Sequence, residues 1–125
     1  MEVACGIMFN KSRQILMGLR PDNAPMGGYW EFPGGQLEEW ETIEECLKRE
    51  WIEELNLNIN IDRELVSFKS NGYLCRFFIG EILDENNIKQ NVHTELGFYK
   101  IDEIKKLNLF EEDYAIVEIL SKKFT

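Results

Sequence analysis

Apolar positions fall into short blocks whose spacing changes from segment to segment. Val3 to Phe9 and Gln14 to Leu19 are apolar runs separated by Asn10-Lys11-Ser12-Arg13, the pattern of two strands joined by a hairpin loop. Turn formers crowd into Pro21 to Gly28, after which Tyr29 to Phe32 predicts a short strand that stops at Pro33-Gly34-Gly35. From Thr42 to Leu55 neither glycine nor proline interrupts a run rich in Glu, Leu, Lys and Arg. Thr42 and Glu45, three apart, form a capping box, so a helix is expected there. Leu65 to Phe68 and Tyr73 to Leu83 read as strands about a Ser70-Asn71-Gly72 turn, and polar Asp84 to Thr94 as a loop. Leu96 to Ile101 predicts another strand and Asp102 to Leu107 a short helix. A final amphipathic helix begins between Glu111 and Tyr114 and runs to Phe124, with Ile116, Val117, Leu120 and Phe124 along one face. Strands and helices mixed without regular βαβ alternation imply an α/β (α+β) fold, a mixed β-sheet sandwiched between helices.

Length and composition fit that picture. A chain of 125 residues, 44% apolar, can bury a core of its own, and a single domain over residues 1–125 is expected. Cys5, Cys46 and Cys75 are odd in number and widely spaced, which suits reduced thiols and a cytoplasmic setting rather than disulfides or a zinc site. Neither the N-terminus nor any later stretch approaches the roughly 18 to 20 apolar residues of a membrane span. With 23 acidic against 14 basic residues, the net charge of −9 disfavours a nucleic-acid polymer as partner. It leaves room for a small phosphorylated ligand, because carboxylates that hold divalent cations reverse the local field.

The helix over 42–55 carries acids where a core face belongs. At about 100° per residue, Ile43, Cys46 and Leu47 define one apolar arc; Glu50 and Glu54 project onto the same arc and Glu53 onto its border. Burying one unpaired carboxylate costs several kcal/mol, so three that converge must be solvated, paired or bound to cations. A solvated acidic face is the plain reading. Gly34-Gly35 upstream favours the cationic one, since a glycine carbonyl can approach an ion with no Cβ in the way, and magnesium takes oxygen ligands and bridges carboxylates to phosphates.

Gly35, five residues, Glu41, seven residues, Arg49-Glu50, two residues, Glu53-Glu54, one residue, then Asn56-Leu57 resembles the Nudix box, which covers residues 35–57. The preceding Trp30-Glu31-Phe32-Pro33-Gly34-Gly35 is similar to the mutator-type (MutT-like) branch. Two positions depart from the pattern. Asn56 stands where the family has glycine, a change that asparagine's tolerance of the left-handed region makes mild. Trp51 stands where an aliphatic residue is usual and puts the packing of the helix in question.

The resemblance implies attack of water on a nucleotide phosphorus, assisted by Mg2+ with Mn2+ as a substitute. Glu50, Glu53, Glu54 and the Gly35 carbonyl would hold the metal, with Glu50 or a neighbouring carboxylate as general base. Arg49 reads as an orienting residue, with Glu41 in the same network, or as an ordinary i,i+4 partner of Glu45 or Glu53. By the same resemblance Arg20 would touch phosphate, Glu95 would be a further metal ligand or base, and Asp113 would read the base or, alternatively, cap the last helix. His93, the one histidine, is expected on the surface of its loop. Phe32 and Phe78 are the aromatic side chains expected against the nucleobase, with Tyr29, Phe77 and Phe110 as further aromatics. An ionised Asp113 only accepts hydrogen bonds, which leans towards an exocyclic amino group and so towards cytosine-type nucleotides, 5-modified dCTP included, or a broad purine tolerance, over strict 8-oxo-dGTP specificity. The implied activity is release of pyrophosphate and a nucleoside monophosphate from modified or oxidised triphosphates such as 8-oxo-dGTP or 5-modified dCTP. Alternatives are a hydrolase of nucleotide sugars or ADP-ribose and a catalytically inactive nucleotide sensor. Nothing demands more than a monomer, and a homodimer is compatible.

Overall fold

A computed structural model describes residues 1–124. It contains β1 (Glu2–Phe9), β2 (Ile15–Leu19), β3 (Trp30–Glu31), β4 (Gly34–Gln36), α1 (Ile43–Leu55), β5 (Ile59–Ser70), β6 (Tyr73–Ile82), β7 (Glu95–Tyr99), α2 (Ile101–Ile104) and α3 (Glu111–Phe124). All strands belong to one mixed sheet. β1 and β6 are parallel from Glu2↔Leu74 to Phe9↔Glu81, and every other pairing between two of these strands is antiparallel. This is the mixed α+β architecture that the sequence implies.

The sheet forks. β1 and β2 meet only at Phe9↔Ile15 and then diverge, and the segment from Trp30 to Gln36 fills the gap. Its first half pairs with β2 through Gly18↔Glu31, and its second half with β1 through Cys5↔Gly34 and Ala4↔Gly35. The intervening Pro33 carbonyl accepts from the Gly6 amide at 2.9 Å. Glu31 and Gly35 are thereby set at the mouth of the fork.

Strand alternation sends side chains into two cores. Ala4, Met8, Leu16, Phe78 and Ile82 pack with Cys46, Leu47, Trp51 and Leu55 of α1. Ile7, Ile15, Phe32, Phe77 and Ile79 pack with Ile104 and with Ile116, Val117 and Leu120 of α3. α1 begins at the expected capping box, with Thr42 accepting from the Glu45 amide and Glu45 from that of Thr42, and ends at Asn56 in the left-handed region (φ 56°, ψ 40°). Trp51, the packing concern, is wholly buried, with its indole N–H donating to the Pro33 carbonyl at 2.8 Å. Gly6 makes the room: a Cβ there would lie 2.7 Å from that nitrogen.

Three boundaries differ from expectation. β4 is formed by Gly-Gly-Gln, which has no strand propensity, because the divergence of β2 leaves the edge of β1 open to it. β5 starts at Ile59 rather than Leu65; shifts of register between Ile61 and Arg63 and between Glu64 and Val66 break the alternation that would have marked it. β7 stops at Tyr99, and α2 takes Ile101 and ends at Ile104. No helix among the described residues is long and apolar enough to cross a membrane. Residue 125 lies outside the described residues.

Candidate active site

Arg49 is the hub of the acidic helix face. Its Nε and Nη2 grip Glu41 at 2.9 and 2.7 Å, while Nη1 reaches Glu50 at 2.8 Å and Glu53 at 2.9 Å. Nη2 also donates to the Gln36 carbonyl at 3.3 Å, tying α1 to the end of β4. A fork of fixed donors is what such a hub requires, and lysine offers none. Hydrogen bonds from Arg49 hold the buried Glu41 carboxyl down at about 2, and Glu41 in turn raises the guanidinium still further above its ordinary value. Arg49 is therefore more than an i,i+4 surface partner.

The carboxylates lie against the fork. A Cβ on Gly35 would stand 2.3 Å from Cδ of Glu50 and 2.4 Å from its Oε2, so only glycine lets Glu50 rest on β4. Behind it, burial lifts the Glu54 carboxyl to about 9, helped by the hydrogen bond it donates to Glu50 when protonated and by the charges of Glu50, Glu31 and Glu53. Sequence reasoning brought Gly35, Arg49, Glu50, Glu53 and Glu54 together, and they do adjoin. Among the described residues no three acidic, histidine or cysteine side chains stand in ready ligating geometry; Arg49 holds Glu50 and Glu53, and Glu54 keeps a proton.

Glu95 does not join them. Its strand partner is Leu19, which also faces Trp30, whereas Glu31 shares Gly18 with Leu96. Paired residues share a face, so Glu95 is on the side where Trp30 meets Tyr99, away from α1. The acid that approaches Glu54 from the sheet is Glu31, to which sequence reasoning gave no role. The signal was available: a lone acid between Trp30 and Phe32 in a strand points opposite to both aromatic rings. Glu31 Oε1 accepts from Arg20 Nη1 at 3.1 Å and its Oε2 lies 2.8 Å from His93 Nε2. His93 is buried rather than on the loop surface, because Gly18 leaves space for its ring.

On the other side of the fork opens a cleft of about 720 Å³. Arg20, Tyr29, Glu31, Phe32, Gln36, Phe77, Phe110 and Asp113 are among its walls. Arg20 Nε and Nη2 donate to the Pro25 carbonyl at 3.0 and 2.7 Å, which leaves one N–H on each of Nη1 and Nη2 uncommitted among the described residues. Phe32 is almost wholly buried, edge-on to Phe77, and Tyr29 stacks on Phe110. Phe78 is a correction. It belongs to the α1 core, one residue out of phase with the cleft, and its neighbour Phe77 faces the cleft instead. Cys5 and Cys75 also line the cleft, a position that sequence spacing gave no means of finding.

Asp113 lies in the first turn of α3 with 4% of its surface exposed. Burial raises its carboxyl to about 7, and the charges of Glu112 and Glu31 add to this. The accept-only character expected of an ionised Asp113 is thus incomplete, since a protonated carboxyl also donates.

The architecture is shared with known proteins. A family model described as NUDIX domain matches residues 1–119. An 8-oxo-dGTP diphosphatase of Proteus vulgaris is 41% identical over 59 residues, 47% of this chain and 53% of that protein. An RNA pyrophosphohydrolase of Helicobacter pylori is 32% identical over 98 residues, 64% of this chain and 62% of that protein. The chain thus spans less than two thirds of either relative. A solved structure of MutT, from work on Aliivibrio salmonicida and Vibrio cholerae, is similar with a TM-score of 0.81 over 98% of each chain at 25% identity. The Escherichia coli ORF135 protein gives 0.78 over 97% of this chain and 88% of its own at 24% identity.

Proposed function

Because the chain belongs to the Nudix family, we propose that it is a divalent-metal-dependent pyrophosphohydrolase, acting through one domain over residues 1–125. Its substrates are nucleoside triphosphates, which it splits into monophosphate and pyrophosphate. The observation that carries this reading is the packing of Glu50 and Glu53 on Arg49, of Glu50 on Gly35 and of Glu54 beside Glu50, next to a cleft that is lined by a buried carboxyl.

The donor set fits magnesium, with manganese as a substitute. Burial first, and then the neighbouring Glu50, Glu31 and Glu53, raise the Glu54 carboxyl, so the charged form of this oxygen-rich cluster is one that a hard cation relieves. Glu50, Glu53, Glu54 and the Gly35 carbonyl would hold it. When bound, such an ion neutralises phosphate charge and lowers the pKa of coordinated water. Glu50, oriented through Oε1 by Arg49, or a neighbouring carboxylate would take the proton of the attacking water. Arg49 orients Glu50 and Glu53 rather than meeting phosphate, because its donors are already engaged. Arg20, at the cleft wall, is the cation available to the polyphosphate.

In the cleft, Phe32 and Phe77 supply an apolar wall and Asp113 the polar edge. A carboxyl near half-protonation at neutral pH can both donate and accept, as an oxidised purine demands, while its ionised form suits an exocyclic amine. Modified or oxidised triphosphates, 8-oxo-dGTP and 5-modified dCTP among them, are therefore the substrates proposed. This agrees with the 8-oxo-dGTP diphosphatase name of the Proteus relative. Chromatography of the products from a panel of oxidised, 5-modified and unmodified triphosphates tests the reading. Monophosphate and pyrophosphate are expected; diphosphate and orthophosphate would contradict it, and turnover of nucleotide sugars alone would move the activity to another leaving group.

A further inference from the structure

His93 is the one histidine of the chain, and its side chain has no exposed surface. Nε2 lies 2.8 Å from Glu31 Oε2, while Nδ1 is buried with no hydrogen-bond partner among the described residues. An imidazole nitrogen without an acceptor is poorly served by a proton, which assigns the N–H to Nε2 as donor to Glu31. The ring is wedged against β2: a Cβ on Gly18 would sit 2.4 Å from its Cδ2. Its loop is itself anchored. The Thr94 amide donates to the Leu19 carbonyl, and Asn91 donates to the carbonyls of Glu53 through its side chain and Glu54 through its amide, at 2.9 and 3.2 Å. Glu31 receives Arg20 on its other oxygen at 3.1 Å. A chain of contacts thus runs from the end of α1 through His93 and Glu31 to the cation at the cleft.

We propose that His93 is a positioning residue that locks Glu31 and, through it, sets Arg20 against the polyphosphate of a bound nucleotide, a role that rests on the function proposed above. Without the Nε2 donor, Glu31 keeps only Arg20 as side-chain partner among the described residues, so the Glu31 carboxylate can rotate and Arg20 Nη1 is no longer held ready. The loss falls on binding of the triphosphate more than on the step at phosphorus, because neither His93 nor Arg20 touches the α1 carboxylates.

Two experiments test it. With a single histidine, nitrogen-15 spectra of histidine-labelled protein give one imidazole. The proton is expected on Nε2, moving upfield in Glu31→Gln; a proton on Nδ1, or no response to Glu31→Gln, would overturn the proposal. For the metal-loaded enzyme, His93→Leu fills the space without a donor and Gly18→Ala pushes the ring aside. Both are expected to raise KM for 8-oxo-dGTP roughly tenfold with kcat within about twofold, since one charge-assisted contact is lost. His93→Gln, which keeps a donor, should recover much of the effect, and His93→Leu should add little to Glu31→Gln. A lowered Tm with unchanged KM in His93→Leu would mean that the ring only fills space. If the wild-type protein turns over no triphosphate, the functional reading fails instead. The imidazole spectrum and the dissociation constants of α,β-methylene-dGTP for wild type and His93→Leu then decide the role of His93 alone; equal constants would overturn it.

Discussion

Single atoms decide the candidate site. At Gly35 the decisive atom is an absent Cβ, which would stand 2.3 Å from Cδ of the Glu50 carboxylate. Gly35→Ala should therefore displace Glu50 by about an ångström and cost on the order of 100-fold in kcat, while the melting temperature changes little; a steady-state assay beside a thermal melt separates the two. Asp113 carries a pH signature. Its carboxyl is raised in the fold from 3.8 to about 7, so the stability it contributes is fully present below pH 3.8 and is lost as pH rises through about 7. Asp113→Asn carries no such charge. It is expected to melt several degrees above wild type at pH 8, with the gap closing towards pH 4; a gap independent of pH would mean that Asp113 ionises freely. The box acids were legible in the sequence because they depart from a helical pattern that residues 42–55 state plainly. Phe78, Glu95 and His93 were misread because each depends on which face of a strand or loop turns inward, and that parity is fixed by partners far away in the chain.

The elements divide along the same line. α1 was readable from end to end, since its capping box, uninterrupted interior and left-handed Asn56 are local features. β4 was not, because Gly34 to Gln36 becomes a strand only where β1 and β2 part. Trp51 joins the two kinds of information: its bulk is a local departure, and its fit depends on Gly6 in β1 and on the Pro33 carbonyl across the fork. Gly6→Ala would crowd the indole and should cost about 1 to 3 kcal/mol by denaturant unfolding. Trp51→Leu in the same background relieves the crowding and should be less harmful than Trp51→Leu alone, a coupling that a double-mutant cycle reads directly. Additive effects would mean that the two residues do not compete for one space.

At the scale of the whole molecule, one forked sheet separates two tasks. The α1 side gathers carboxylates, the α3 side holds an apolar cleft with a buried acid, and the segment Trp30 to Gln36 carries Glu31 and Gly35 between them. The mixed-sheet class was legible from element order, whereas the fork was not, since it is written in pairings rather than in propensities. A net charge of −9 repels a free triphosphate unless cations intervene, so the acidity of the chain and its proposed dependence on metal belong to one account. The direct test is the rate of pyrophosphate release from 8-oxo-dGTP as magnesium is titrated, for wild type and Glu53→Gln. Release that rises from zero with magnesium and falls at least about 100-fold in Glu53→Gln is the expected result. Release that is indifferent to magnesium, or equal in the two proteins, would contradict the assignment of the α1 carboxylates as the catalytic centre.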